Sequence, residues 1–395
     1  MNQFECVFCN RNFPADPMSQ FCSDCGEPLL CSVPKEGRKV YHDKPNPLER
    51  YLDYLPLASV DHSLLLGEGN SPFARLGRIM KEYRLPETFA KDETTNPTAS
   101  FKDRGTTVAL QMALHLGIRE IGTVSTGNMG ISTAAYGARS GIPTHVLIKE
   151  DTSREKLLTV SIYGANIMQV SGDFGELARA SFRIGKKHGI YFMNGADPFR
   201  IEGYKVIGFE ILEQLNYQCP TYIIAPASSA AHLVGLMKAY RELAQQGLVA
   251  HMPRFVGVQA EGCSPIAQAF ADGRPRFEKA TQSSTIAQSI TNPDPPTGNI
   301  ALKWIREMDG MMLSVSDDEM LSAQKALAEL EGLFCLPESA TTLAGMLRLH
   351  KTGIFQEEDR VVLVITGSGA KNLGLFDASK LDIRHATLEN IEREW

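Results

Sequence analysis

The sequence predicts an α/β fold in which mostly parallel strands form an open sheet, arranged in two lobes. Short runs rich in β-branched residues alternate with longer stretches of helical periodicity, which is typical of βαβ units. A chain of 395 residues is also long enough for more than one hydrophobic core. The predicted strands are IGTVS at 121–125, THVLI at 144–148, TYIIA at 221–225, RFVGV at 254–258 and VVLVIT at 361–366.

The composition excludes several classes of protein. Forty basic residues against 46 acidic ones give a net charge of -6, which argues against a broad nucleic-acid-binding surface. The sequence contains no run of about twenty apolar residues, so we expect no membrane-spanning helix. The first residues show no secretory signal, so we expect a cytoplasmic protein whose thiols stay reduced.

The front of the chain carries two pairs of cysteines with metal-ligand spacing. Cys6 and Cys9 form one C-x-x-C pair, and Cys22 and Cys25 form the other. Four thiolates delivered by two tight turns suit a closed, tetrahedral, structural zinc site. Iron, which accepts the same ligands, and two unrelated thiol or redox pairs remain open. The sequence therefore predicts a zinc-ribbon-like segment at 1–32.

The richest chemistry lies in KDETTNPTASFKDRG at 91–105. Lys102 follows small residues and an aromatic residue where a helix is predicted to begin. The positive end of the helix dipole favours an uncharged amine there, and such an amine can bond to a carbonyl compound. On this spacing alone the signal is weak, because a surface lysine near a helix start is common.

A wider resemblance favours the catalytic interpretation. NPTASFKDRG is similar to the N-P-T-G-S-F-K-D-R-G motif of threonine synthases, which are pyridoxal 5'-phosphate (PLP) enzymes of fold type II. Further segments resemble that family in the same order. They are GEGNSP at 67–72, STGNMGISTAAYGARSGI at 125–142, KLLTVSIYGANIMQVSGDF at 156–174, NGADPFRIEGYK at 194–205, PESATTLAG at 337–345 and TGSGAKN at 366–372.

The resemblance implies roles for the cofactor-binding residues. Lys102 would bind PLP covalently and then act as the general base that moves protons. Asn128 matches the residue that contacts the 3'-oxygen of PLP. Thr366 matches a hydroxyl that contacts the pyridine nitrogen and leaves it largely unprotonated, which suits elimination.

The resemblance also implies a substrate site. Ser125, Thr126 and Gly127 match a loop that binds the substrate carboxylate, where a helix start serves an anion. The remaining predicted substrate-binding residues are Ser100, Asn194, Arg200, Ser368 and Lys371, of which Asn194 and Arg200 match residues that bind a substrate phosphate.

The chain departs from the family at the loop that holds the PLP phosphate. The family usually has P-V-G-N-A-G-N, whereas residues 226–232 here read PASSAAH, without glycine. The loop still lies between a strand and a helix, which favours anion binding over a plain helix cap. We therefore expect the phosphate to be bound by Ser228, Ser229, Ala230, Ala231 and His232.

Other departures bear on the substrate. Gly195 stands where the family often has serine, and Ser368 and Asn372 stand where it often has histidine and aspartate. These changes leave the predicted PLP contacts in place and bear on which phosphorylated amino acid is the substrate.

The resemblance implies a larger PLP-binding lobe at 33–100 and 206–395, and a smaller lobe at 101–205. The sequence also predicts a loop or lid at 273–299 and a short helix near 387–395. PLP would lie between the lobes, where the small phosphorylated amino-acid substrate would bind next to it. We expect the enzyme to be a homodimer and to bind neither nucleic acid nor membranes.

The predicted activity is that of a carbon–oxygen lyase, which converts O-phosphohomoserine and water to threonine and phosphate by γ-elimination and β-addition. One alternative is β-replacement on O-phosphoserine, for example with sulfite, as in a cysteate synthase. Another is a serine or threonine dehydratase, which needs no phosphate cluster. A third is an inactive relative that binds partners through its cysteine-rich front.

Overall fold

Among the residues described by this computed structural model, the strands form three sheets and confirm the predicted α/β class. Residues 2–33, 37–125, 127–150, 152, 154–172, 174–281 and 283–375 are described. The strands are β1 (Gln3–Glu5), β2 (Asn12–Pro14), β3 (Leu30–Ser32), β4 (Phe73–Arg75), β5 (Glu87–Asp92), β6 (Glu120–Val124), β7 (Thr144–Lys149), β8 (Asn166–Val170), β9 (Ile190–Phe192), β10 (Tyr222–Pro226), β11 (Arg254–Ala260), β12 (Met311–Val315) and β13 (Arg360–Ile365).

Two of the sheets are parallel or nearly so. The larger has the order β12-β11-β10-β13-β5-β4, and only β4 runs antiparallel to its neighbour. The smaller has the order β8-β7-β6-β9 and is parallel throughout. Each of the five runs that predicted strands overlaps one of these strands, because buried parallel strands are nearly continuous apolar runs.

The register of the larger sheet brings three chain segments to one edge. Ile365 at the end of β13 pairs with Asp92 at the end of β5, and β10 ends beside them at Pro226. The segments that leave these strands begin at 93, 227 and 366, and they carry ten of the sixteen predicted cofactor- and substrate-binding residues. Ligands of open α/β sheets bind at such carboxyl edges.

One buried helix, α7, positions the lysine-bearing helix α3. The helices are α1 (Pro47–Arg50), α2 (Gly77–Tyr83), α3 (Lys102–His115), α4 (Asn128–Ser140), α5 (Arg154–Ser161), α6 (Phe174–His188), α7 (Pro198–Gln214), α8 (Ala231–Gln245), α9 (Pro265–Ala271), α10 (Gly298–Glu307), α11 (Asp317–Glu331) and α12 (Pro337–His350). Glycines let α3 and α7 approach closely, since a Cβ at Gly203 would lie 2.0 Å from the carbonyl oxygen of Arg104. A larger residue at that position would push the start of α3 away.

A buried ionic cluster fixes the start of α3 from the other side. The Arg104 guanidinium lies 2.7 Å from a carboxylate oxygen of Glu93 and also pairs with Glu210. The Nζ of Lys91 donates to Glu210 across 2.6 Å. All four side chains are buried, so each charge depends on its partners for compensation.

The front of the chain forms the third sheet, in which β1 pairs antiparallel with β2 and β3. This sheet packs on α7, where the ring of Phe4 lies 5.2 Å from that of Phe199. The Nε2 of Gln20 donates to the carbonyl of Phe192 across 3.0 Å, so the segment is also tied to the smaller sheet.

Strands of the larger sheet come from 73–92 and 222–365, and those of the smaller sheet from 120–192. The exact lobe boundaries remain predictions. Described residues of the predicted lid at 273–299 hold one 3₁₀ turn, at Gln288–Ile290, before α10 begins. The helix predicted near 387–395 lies outside the described residues. Among the residues described, helices that combine the length and apolar character of a membrane span are absent.

Candidate active site

Lys102 is the first residue of α3, and the end of β13 holds the segment before it. The N–H of Phe101 donates to the carbonyl of Thr366 across 3.0 Å, and Ala99 adopts a left-handed conformation with φ of 54°. Lys102 itself is half-buried, and its Nζ lies 4.4 Å from the ring centre of Phe101. Burial, together with the positive charge of Arg200, lowers the pKa of Lys102 to about 7. A substantial fraction of this amine is therefore uncharged near neutral pH, as a nucleophile or base requires.

The predicted phosphate loop lies next to this lysine. His232 in the first turn of α8 packs against Phe101, with ring centres 4.4 Å apart and ring planes tilted by 42°. Its side chain is 5% exposed, and neither ring nitrogen has a partner among the described residues. Burial and the charge of Lys102 lower the pKa of His232 to about 3, so the imidazole is neutral and offers one N–H donor.

The backbone of the same loop offers further donors. Within the described chain, nothing accepts a hydrogen bond from the backbone N–H groups of 228–233. These groups lie at the start of a 15-residue helix, where the dipole favours an anion. The loop therefore fits a phosphate monoester such as that of PLP, although the glycines expected for such a loop are missing.

Thr366 is held by a residue that the sequence analysis did not single out. The hydroxyl groups of Thr366 and Ser339 lie 2.9 Å apart, and Ser339 Oγ also accepts from the N–H groups of Thr366 and Gly367. Ser339 is fully buried and belongs to the PESATTLAG motif, so that motif was the available signal. It supports the end of β13 from α12.

Asn128 and Lys371 come together although 243 residues separate them. The Nζ of Lys371 donates to Oδ1 of Asn128 across 2.7 Å. Burial lowers the pKa of Lys371 to about 8, and the carboxylate of Asp103 opposes this effect. A Cβ at Gly367 would lie 3.3 Å from Nδ2 of Asn128, so this amide also lies against the segment after β13.

Four other predicted substrate residues lie in the segments that meet here. Ser125 and Gly127 precede α4, and the N–H of Gly127 donates to Ser125 Oγ across 3.2 Å. The Ser100 hydroxyl is buried without a partner in the described chain, and Ser368 caps a short 3₁₀ turn by accepting from the N–H of Ala370. Thr126 lies outside the described residues.

The sequence predicts that Asn194 and Arg200 bind a substrate phosphate, but in the structure both side chains form hydrogen bonds within the protein. Asn194 accepts from the N–H of Val124 across 2.8 Å and donates to Ser181. Arg200 is fully buried and donates to Thr106, Thr133 and the carbonyl of Met193 at 2.6–2.8 Å. Their contact with a substrate phosphate stays a prediction, whereas the structure gives Arg200 an electrostatic effect on Lys102.

The four predicted metal ligands do meet at one point. The sulfur atoms of Cys6, Cys9, Cys22 and Cys25 all lie within 4.8 Å of one another. A tetrahedral ion with bonds of about 2.3 Å to sulfur needs such spacing, so the group fits zinc and equally iron. The four Sγ atoms would hold the ion, and a fourfold thiolate site is closed to substrate.

Comparison with known proteins identifies the class. Residues 64–367 match the family described as pyridoxal-phosphate dependent enzyme. The chain is 36% identical over 374 residues to the threonine synthase of Methanocaldococcus jannaschii, covering 93% of this chain and 92% of the relative. It is 32% identical over 373 residues to the threonine synthase of Methanosarcina acetivorans, covering 93% and 91%.

A solved structure agrees at the level of the fold. Maize serine racemase superposes with a TM-score of 0.66 at 20% identity, over 79% of this chain and 90% of the racemase. The chain therefore belongs to the pyridoxal-phosphate-dependent enzymes of fold type II. Within that class it belongs with the threonine synthases, which confirms the resemblance found in the motifs.

Proposed function

We propose that the chain converts O-phosphohomoserine and water to threonine and phosphate. The single observation that carries the proposal is the position of Lys102. Its amine has a pKa of about 7, and the ring of Phe101 links it to an anion-binding loop at the start of α8. Two threonine synthases that match over 93% of the chain support the choice of reaction.

Residues of the site would hold PLP as follows. Lys102 would carry it covalently, and Ser228, Ser229, Ala230, Ala231 and His232 would bind its phosphate. Asn128 would contact its 3'-oxygen, and Thr366, held by Ser339, would contact its ring nitrogen. When bound, PLP supplies an electron sink for negative charge that develops on the substrate carbons.

The protein's own groups would then perform proton transfer and positioning. The Lys102 amine is able to accept a proton near neutral pH because its pKa is already lowered to about 7. Ser125, Thr126 and Gly127 at the start of α4 would orient the substrate carboxylate. Ser100, Asn194, Arg200, Ser368 and Lys371 would form the substrate-phosphate side.

A second candidate is β-replacement on O-phosphoserine. It is favoured by Ser368 and Asn372, which stand at positions where threonine synthases often have histidine and aspartate. Both residues flank the short turn at 369–371 after β13, and Lys371 in that turn donates to Asn128. A change there would affect the substrate while leaving the cofactor contacts in place.

One experiment separates these reactions. Purified, PLP-loaded protein is incubated with O-phosphohomoserine or O-phosphoserine, with and without sulfite, and phosphate and amino-acid products are measured. Threonine and phosphate from O-phosphohomoserine support the first proposal, and release only from O-phosphoserine with a nucleophile supports the second. Lys102→Ala is the control, and phosphate release by that variant at the wild-type rate contradicts both.

A structural zinc ion, a homodimer and a cytoplasmic location remain predictions. Metal content and the mass of the native protein in solution test the first two.

A further inference from the structure

The phosphate loop contains an alanine in a conformation that normally belongs to glycine. Ala230 has φ of 67°, in the left-handed region, where a Cβ crowds the following backbone. The threonine synthase motif P-V-G-N-A-G-N also has alanine at this position but places glycines on both sides of it, where this chain has Ser228 and Ala231. Something outside the loop must therefore hold the conformation.

Thr297, 68 residues further along the chain, makes that contact. Its backbone N–H donates to the carbonyl of Ser229 across 3.2 Å, and its hydroxyl donates to the same oxygen. Thr297 is fully buried. It is also the N-cap residue of α10, but its hydroxyl does not cap its own helix. Both of its donors serve the loop instead.

This contact determines where the loop's own donors point. In a trans peptide the C=O and the following N–H point in opposite directions. Because Thr297 holds the Ser229 carbonyl, the N–H of Ala230 is directed away from Thr297. The left-handed Ala230 then leads into α8, whose first N–H groups have no acceptor among the described residues. Successive N–H groups in such a turn form an anion-binding concavity.

We propose that Thr297 is a positioning residue for the cofactor phosphate, and that it replaces the glycines of the family by clamping the Ser229 carbonyl. The inference rests on the proposed function, since it takes the PLP phosphate as the anion. It assigns the residue that makes a glycine-free loop able to bind that phosphate.

The test compares two cofactor forms that differ only in the phosphate. We would prepare apoprotein of three forms: the wild type, Thr297→Val and Thr297→Ser. Each is titrated with PLP and, separately, with pyridoxal, and binding is measured by the absorbance of the lysine-bound form. Thr297→Val keeps the shape and the backbone donor but loses the hydroxyl. We expect PLP affinity to fall about five- to tenfold, as for one lost hydrogen bond, with pyridoxal affinity unchanged. Thr297→Ser, which keeps the hydroxyl, should bind PLP as the wild type does.

A double variant distinguishes loss of the loop conformation from general damage to the fold. Thr297→Val combined with Ala230→Gly removes the Cβ that makes the left-handed conformation unfavourable, so PLP affinity should recover. The inference is overturned if Thr297→Val binds PLP as the wild type does, or if PLP and pyridoxal lose affinity equally. It is also overturned if the double variant fails to recover. A wild-type protein that never binds PLP through Lys102 would instead refute the proposed function.

Discussion

A Cβ atom at Gly195 would lie 3.0 Å from the Cβ of Ser229, closer than side chains normally pack. Gly195 follows β9 in the smaller sheet, and Ser229 follows β10 in the larger one. Both positions depart from the threonine synthase pattern, since Gly195 stands where the family often has serine and Ser229 stands where its motif has asparagine. In this chain the Ser229 side chain therefore fills space that a side chain at 195 would need.

This relationship predicts a specific rescue. Gly195→Ser restores the residue often found in the family, and we expect it to destabilise the protein by about 1–3 kcal/mol through overpacking. Adding Ser229→Gly should recover most of that loss. Thermal and urea unfolding of both variants measure it. A double variant no more stable than Gly195→Ser alone would show that the two positions are independent.

The Lys371–Asn128 hydrogen bond predicts an effect on cofactor binding. Replacing Lys371 with methionine leaves Asn128 Oδ1 without its 2.7 Å partner, so its amide loses a fixed orientation. We expect PLP affinity to fall about tenfold, because the donor is a charged group. Lys371→Arg is the matched control. If Lys371 binds only the substrate phosphate, the methionine variant will raise KM and leave PLP affinity unchanged.

The pKa of Lys102 predicts how cofactor attachment depends on pH. With a pKa of about 7, the amine is mostly protonated below that value and mostly neutral above it. The rate at which apoprotein attaches PLP should therefore rise with pH and level off above about 7. Stopped-flow absorbance across pH 5–9 measures the midpoint.

Arg200 supplies the control for that profile. Arg200→Gln removes a positive charge that lowers the pKa of Lys102, so the midpoint should move upward. The shift should be smaller than the whole depression from 10.5, because burial is the larger cause. Arg200→Lys keeps the charge and should leave the midpoint in place. Equal midpoints in the wild type and Arg200→Gln would contradict the electrostatic role.

Local patterns predicted the fold better than they predicted the site. The strand runs and the lysine at the start of α3 are visible in the sequence, because periodicity and helix-start chemistry are local. Three features of the site depend on packing between distant segments, and no local pattern carries them. They are the left-handed Ala230, the Ser339 support of Thr366 and the inward guanidinium of Arg200. The missing glycines of the 226–232 loop indicated where the chain departs from the family, but they did not indicate that Thr297 contacts this loop.

The cysteine cluster predicts that metal removal will loosen more than the front segment. Glu27, two residues after Cys25, accepts from Asn299 Nδ2 across 3.0 Å and pairs with Arg276. Asn299 stands two residues after Thr297, which holds the Ser229 carbonyl. Chelation should therefore release one metal ion per chain, lower the unfolding temperature and weaken PLP binding, as metal content, calorimetry and titration would show. Glu27→Gln keeps an oxygen acceptor for Asn299 and should retain more PLP affinity than Glu27→Ala. Chelated protein that binds PLP as tightly as the metal-loaded form would show that the front segment stabilises only itself.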